Sequence, residues 1–220
     1  ETQLTLYDGI TEEELDKATI NAALQNAQND LEFDKVATRI LLKTVYKSVV
    51  GDYHNDEEFL QKHKNHFSEY VRNAVEAGLL DERLQNVFDL NELSSALDTS
   101  RDDLYKYSGV STMISRYLLK DEQQNPIETP QYFWMRVAMG LSFNEKEPTV
   151  WAKKFYEKMS RLEYLSAGST NIGAGTTRPS LSNCFLMQVE DDMTHIGKTV
   201  SDVLMLSKAT GGIGLAVTKL

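Results

Sequence analysis

The sequence predicts an α/β chain, with a mainly helical N-terminal portion followed by the first two or three strands of a larger sheet structure. Three observations carry this. Helix-start signals recur through the first two-thirds of the chain, Thr11-Glu12-Glu13-Glu14 and Thr129-Pro130 among them. Residues 166–182 then turn rich in Gly, Ser and Thr. Beyond them come an apolar run, a helical period, a Gly-rich turn and a second apolar run, the order of a βαβ unit.

Thr11 to Glu14 is a capping box, in which the Thr hydroxyl takes a free N–H and the Glu14 carboxylate reaches back. Leu15, Ala18, Ala22 and Ala23 then fall on one helical face. A second helix carries Val36, Ile40, Val45 and Val49 on a stripe and stops at Gly51-Asp52. Residues 53–98 read as short, highly charged helices with Phe59, Phe67, Tyr70, Val71, Val75 and Leu79 buried and Gly78 as a stop. The polar stretch from Asp98 to Tyr107 reads as a loop, and the apolar run Ile114 to Lys120 leads to a turn at Asp121 to Pro126. Thr129 at the N-cap and Pro130 in the first turn open a nearly all-apolar, buried helix over 131–142. After Glu147-Pro148-Thr149 a further helix aligns Val150, Phe155, Met159 and Leu162. Cys184 to Val189 reads as a strand, and 194–208 as a helix with Ile196, Val200, Val203 and Leu204 along one side. Gly211-Gly212-Ile213-Gly214 turns into a short strand at Leu215-Ala216-Val217. This divides the chain into a helical region over 1–52, a helical domain over 53–163 and the start of an α/β unit over 164–220.

Composition narrows the function. Of the 220 residues, 41% are hydrophobic and 25% charged, the balance of an ordinary globular protein rather than a disordered one. The formal net charge of −10 repels a phosphate backbone and disfavours general nucleic-acid binding, though single nucleotides need only a few donors. No apolar run approaches the roughly 20 residues of a membrane helix, and no secretory signal is visible. Cys184 is the one cysteine, so no intrachain disulfide forms, and this usage fits a reducing cytoplasm. The sequence opens on Glu1 rather than Met, as expected after processing or shortening.

Two Gly-rich segments, Gly173-Ala174-Gly175 and Gly211-Gly212-Ile213-Gly214, have the backbone freedom to cradle phosphate. Neither has the spacing of a dinucleotide fingerprint or a P-loop, and taken alone each is a turn before it is a ligand loop. No metal-ligand cluster is read in the sequence.

The combination is more specific. Arg178-Pro179-Ser180-Leu181-Ser182-Asn183-Cys184-Phe185-Leu186, then Asp191-Asp192, then a helix ending Leu206-Ser207-Lys208, then Gly211 to Val217, resembles the start of the ten-stranded α/β barrel of the ribonucleotide reductase large (α, catalytic) subunit. Asp102-Asp103-Leu104-Tyr105-Lys106-Tyr107 and Arg116-Tyr117-Leu118-Leu119-Lys120 resemble the helical domain that precedes this barrel. Leu6 to Thr11, with Glu14-Leu15-Asp16, resembles the later part of the family's ATP-cone.

The resemblance implies radical reduction of ribonucleotides to deoxyribonucleotides, a step that supplies DNA replication. Cys184 matches one of two reducing cysteines. A third cysteine, as a thiyl radical, removes the ribose 3′-hydrogen, the pair delivers two electrons, and the 2′-hydroxyl leaves as water. The second reducing cysteine and the radical cysteine must lie elsewhere, so this chain is expected to be inactive alone. A complementary C-terminal catalytic polypeptide would supply them, and residues 165–220 are expected to order only against another polypeptide or a second copy. Substrate phosphates are implied at Gly168, Ser169, Thr170, Ser182 and Asn183, with Gly211 and Gly212 under the substrate. Here Gly168 stands where the family has Ser or Thr, and Asn183 where it has Ser.

Asp192, Met193, Thr194 and Lys208 match positions for a deoxynucleoside triphosphate effector, at a spacing one residue shorter than in the family. The helix over 194–208 is implied to pair with its copy in a homodimer. Without the family, Asp192 reads as a helix cap. Asp16 and Lys47 fall at the cone's ATP site, but the opening strands and a Lys-Arg-Asp-Gly-type motif are absent, and Glu12 replaces a hydroxyl where it would repel phosphate. The resemblance implies no cofactor bound by this chain. The radical source would be a metal–radical small subunit (class I), favoured over adenosylcobalamin (class II), with a diphosphate favoured over a triphosphate substrate. Thioredoxin or glutaredoxin would be the reductant. The rival reading is a non-catalytic regulatory fragment that dimerises and binds a deoxynucleoside triphosphate.

Overall fold

The computed structural model describes residues 7–208 and 211–219. Leu6 of the cone-like segment lies outside them. The first helix, α1 (Glu12–Asn26), starts with the expected capping box: Thr11 Oγ1 accepts the Glu14 N–H at 3.2 Å, and the Glu14 carboxylate accepts the Thr11 N–H at 2.9 Å. Of the predicted face Ala23 is buried and Ala18 and Ala22 are half-buried, while Leu15 is exposed and Ile20 and Leu24 turn inward instead. In α2 (Glu32–Val50) the buried stripe is Ala37, Thr38, Leu42 and Val45, and Val36 faces solvent. The two helices pack through a small cluster of Ile20, Ala23 and Ala37, while Leu42 and Val45 of α2 face the main core.

Residues 56–76 form one long helix, α3 (Asp56–Glu76), where the sequence suggested several short ones. The residues expected to be buried, Phe59, Phe67, Tyr70 and Val71, do face inward, joined by His63 and Ala74 along one continuous helix. Val75 and Leu79 are half-buried, and Leu80 takes the buried place expected of Leu79. Gly78, at φ +70°, lets the chain leave α3 in the left-handed region, as its role as a stop requires. Short helices α4 (Arg83–Asn86) and α5 (Leu90–Ser95) follow.

The stretch expected as a loop is a 3-10 helix, Thr99–Leu104, that runs almost into α6 (Tyr107–Arg116). Asp98 caps it through the Ser100 N–H at 3.1 Å. Its polar Asp102 is 2% exposed, which no polarity pattern foretells. The centre of the molecule is α7 (Pro130–Ser142), capped by Thr129 as predicted, with Leu141 the one residue not fully buried. Next, α8 (Pro148–Ser160) lies along α7 through Ala152, Tyr156 and Met159, while Leu162 beyond it is exposed. The core thus gathers α2, α3, α5, α6 and α8 around α7.

Within the Gly/Ser/Thr-rich segment a short helix, α9 (Gly168–Gly173), forms against α7. It leads to β1 (Cys184–Glu190), α10 (Met193–Lys208) and β2 (Gly212–Lys219), and the two strands pair in parallel. This is the expected βαβ unit.

Candidate catalytic and effector sites

The βαβ unit sets the surroundings of Cys184. Its strands are in register Cys184↔Gly212, Phe185↔Ile213 and Leu186↔Gly214. Side chains alternate across a strand, so Phe185, Met187 and Val189 turn toward α10 while Cys184, Leu186 and Gln188 share the other, exposed face. Cys184 is a free thiol on that open face, at the first position of β1. Its neighbour across the ladder is Gly212, which offers only backbone. Packing constrains Gly211, where a Cβ would stand 2.7 Å from the Phe185 ring, whereas one on Gly214 would meet only the end of the exposed Leu186 side chain at 2.8 Å. The Gly212 N–H donates to the Asn183 carbonyl at 2.8 Å, and the Gly211 N–H closes the end of α10 on the Leu206 carbonyl at 3.0 Å. Ser182, Asn183, Cys184, Gly211 and Gly212 are therefore brought together at one edge.

The other predicted substrate residues reach this edge through α9. Thr170 Oγ1 donates to the Leu181 carbonyl at 3.1 Å. Ser169 is 6% exposed, and its hydroxyl is buried without a hydrogen-bond partner among the described residues. Buried polar groups are nearly always satisfied, so such a hydroxyl calls for an explanation. Gly173 and Gly175 are taken up by packing rather than by a phosphate cradle. A Cβ on Gly173 would meet the Ser180 nitrogen at 2.6 Å; one on Gly175, at φ +77°, would meet Arg136 Cγ and O at 2.9 Å.

Beneath α9 lies a buried ion pair that the sequence reading missed. Arg136, from the middle of α7, and Glu128 have side chains 1% and 0% exposed, with Nε to Oε1 at 2.6 Å. Glu128 also accepts the Tyr70 hydroxyl and the Leu119 N–H, the latter at 2.9 Å. Arg136 further donates to the carbonyls of Ala174 at 2.6 Å and Asn171 at 3.3 Å, with longer contacts to Tyr117 and Ile172. Burial works against the guanidinium's charge, but Glu128 and Tyr70 outweigh it and raise the pKa. Such a pair adds little stability over an apolar replacement, yet losing one partner costs about 3–5 kcal/mol. The available signal was one arginine inside the otherwise apolar run Tyr132 to Leu141, with a glutamate just before the N-cap.

The effector set is divided. Asp192 caps α10, its Oδ1 accepting the His195 N–H at 2.8 Å, and His195 Nδ1 accepts the Glu190 N–H at 3.2 Å. Met193 and Thr194 are exposed beside it. Lys208 stands at the opposite end of this 16-residue helix, about 24 Å away along the axis at the usual rise. One chain therefore does not bring Lys208 to Asp192. Asp16 lies on α1 and Lys47 on α2. Lys47 is ion-paired with Glu12 and lies 3.9 Å from Asp52, and the Glu12 hydrogen bond raises its pKa. Two clefts, of about 1080 and 790 Å³, lie in the helical part and are lined by none of the predicted site residues. No helix among the described residues is long and apolar enough to cross a membrane.

Comparison with known proteins places this geometry in a family. Residues 103–179 match the all-alpha domain of ribonucleotide reductase, and residues 182–220 match its barrel domain. The chain belongs to the ribonucleotide reductase large-subunit family. It is 40% identical over 208 residues to the ribonucleoside-diphosphate reductase subunit alpha of Chlamydia muridarum, covering 94% of this chain and 20% of that protein. The subunit alpha of Helicobacter pylori strain 26695 is 36% identical over 217 residues, covering 97% and 26% respectively. The large subunit of Arabidopsis thaliana is 30% identical over 213 residues, covering 96% and 25%. The chain thus spans about a fifth to a quarter of the length of these reductases. The βαβ unit is the part that matches the barrel, and α7 to α9 fall within the all-alpha match.

Proposed function

We propose that this chain forms part of the catalytic subunit of a ribonucleoside-diphosphate reductase and supplies one of its two reducing cysteines, Cys184. The observation that carries the reading is the exposed thiol at the head of β1, next to the side-chain-free Gly212. A sugar ring can approach the sulfur over bare backbone there. Cys184 and a second cysteine each give up a proton and an electron, become a disulfide, and the substrate's 2′-hydroxyl departs as water. Thioredoxin or glutaredoxin would reduce the disulfide again. The initiating radical comes from a metal–radical cofactor in a small subunit in the class I reading, or from adenosylcobalamin in class II. Ser169, Thr170, Ser182 and Asn183, with backbone at Gly168, would receive a diphosphate, and Gly211 and Gly212 would lie under the substrate. The unpartnered Ser169 hydroxyl supports this assignment.

For the effector, the separation of Asp192 from Lys208 favours a site shared by two copies. Antiparallel pairing of α10 with its copy would set Lys208 of one beside Asp192, Met193 and Thr194 of the other. The exposed Met193, Val200, Leu204 and Met205 on α10 suit such a contact. Lys47, already neutralised by Glu12, is a poor ATP-phosphate ligand even with Asp16 nearby. The working location would be the cytoplasm.

The test is deoxynucleotide formation by the intact subunit with its radical source and a thioredoxin-type reductant. Cys184→Ser should abolish turnover while deoxynucleoside triphosphates still bind. Unimpaired turnover by Cys184→Ser would sink the reading. An intact protein that binds effector and dimerises but never turns over would establish the regulatory alternative.

A further inference from the structure

We propose that Arg136 is a positioning residue for the segment 168–171, acting through the carbonyl oxygens it gathers at the end of α9. This rests on the assignment of Ser169 and Thr170 to the substrate's phosphates. A helix leaves its last carbonyls without internal donors, and α9, with six residues, has few bonds of its own to hold it. Arg136 supplies the missing donors. Its guanidinium reaches the carbonyls of Asn171, Ile172 and Ala174 from α7. A planar fork of five donors can do this; a single ammonium cannot.

The fork is itself held in place. Glu128 takes Nε at 2.6 Å and Nη2 at 3.3 Å, and is fixed in turn by Tyr70 from α3 and by the Leu119 N–H. Close packing completes the seat, since Gly140 admits the Gly175 backbone where a Cβ would meet its nitrogen at 2.2 Å. Within one turn of these anchors lie the two hydroxyls. Thr170 is tied to Leu181, three residues before Cys184, and the buried Ser169 hydroxyl has no partner among the described residues. Displacing α9 would therefore move both hydroxyls off the phosphates assigned to them and weaken substrate binding. The pair's position under α9, rather than its stability, is what it contributes.

The experiment uses the intact subunit with its radical source and cytidine diphosphate as substrate, comparing Arg136→Lys, Glu128→Gln and Ser169→Ala. Arg136→Lys should raise KM about tenfold with kcat changed less than about threefold, the signature of lost substrate binding. Amide exchange should quicken at 168–174 and stay unchanged in α3 and α8. Glu128→Gln, which keeps the shape, should shift KM the same way by a smaller factor. An unchanged KM in Arg136→Lys overturns the proposal. So does faster exchange throughout α3 and α8, or failure to fold, because the pair would then hold the whole domain rather than α9. If Ser169→Ala leaves KM unaltered while Arg136→Lys raises it with local exchange, the phosphate assignment of Ser169 is wrong and the positioning by Arg136 stands.

Discussion

Replacing Asp102 with asparagine should change how folding responds to pH. Asp102 sits at the centre of the helical core, where the Tyr46 hydroxyl and Gln131 Nε2, the latter at 2.6 Å, both donate to it. Burial pushes its carboxyl up from 3.8 to about 7, and the two hydrogen bonds only partly oppose this. Between these values the folded chain holds a proton that the unfolded chain has released. The contribution is therefore complete below pH 3.8 and is lost as pH rises through about 7. At 1.36 kcal/mol per unit, a shift of about three units amounts to about 4 kcal/mol in all.

His63 works in the opposite direction. It is buried against Thr129, and desolvation first, with the charges of His66 and Lys64 behind it, lowers its pKa from 6.5 to about 3. Its contribution is present above pH 6.5 and is lost as pH falls toward 3, about 5 kcal/mol over the full range. Between pH 4.5 and 6.5 each group changes stability by about 2 kcal/mol with opposite sign, so the two nearly cancel. Urea unfolding followed by the fluorescence of the buried Trp134 should then give wild-type stability that varies little across this interval from these groups. Asp102→Asn should gain about 2 kcal/mol from pH 4.5 to 6.5, above a constant offset for the altered hydrogen bonds. Every other titrating group is common to both proteins, so the difference isolates Asp102. Parallel profiles for the two proteins would refute the reasoning.

Gly140→Ala drives a Cβ into backbone at 2.2 Å, and since a backbone cannot rotate away, it should cost about 3 kcal/mol or more in a thermal or urea melt. Thr11→Ala removes one half of the α1 capping box, and amides in the first turn of α1 should exchange about fivefold faster while those of α3 keep their rates. Asp192→Ala should cost about 1 kcal/mol as a lost cap and leave the fold intact. Calorimetry on the intact subunit should show weaker deoxynucleoside triphosphate binding, and an unchanged affinity would remove Asp192 from the effector site.

Local chemistry determined much of this protein from sequence alone. The capping box at Thr11, the Thr129-Pro130 start of α7, the stop at Gly78 and the βαβ order after Cys184 depend on residues a few positions apart, whose hydrogen bonds and φ values leave few alternatives. The strand from Cys184 and the Gly-rich turn at Gly211 to Gly214 were legible for the same reason, while the roles of Cys184, Asn183 and Gly212 came only from the family resemblance. What distant segments do to one another was not legible. The inward faces of α1 and α2 depended on how each packs against the other and the main core, and the charge along α3 concealed that its buried residues lie on one continuous helix. Asp102 read as a loop residue because nothing local announces that Tyr46, 56 positions earlier, and Gln131, 29 later, will donate to it. Arg136 and Glu128 show the same limit. Their pairing is near in sequence, but the carbonyls that give Arg136 its place come from α9, 35 to 38 residues on, and only tertiary packing brings them within reach. The separation of Asp192 from Lys208 has the simplest cause, since a helix extends by its rise and holds its two ends apart.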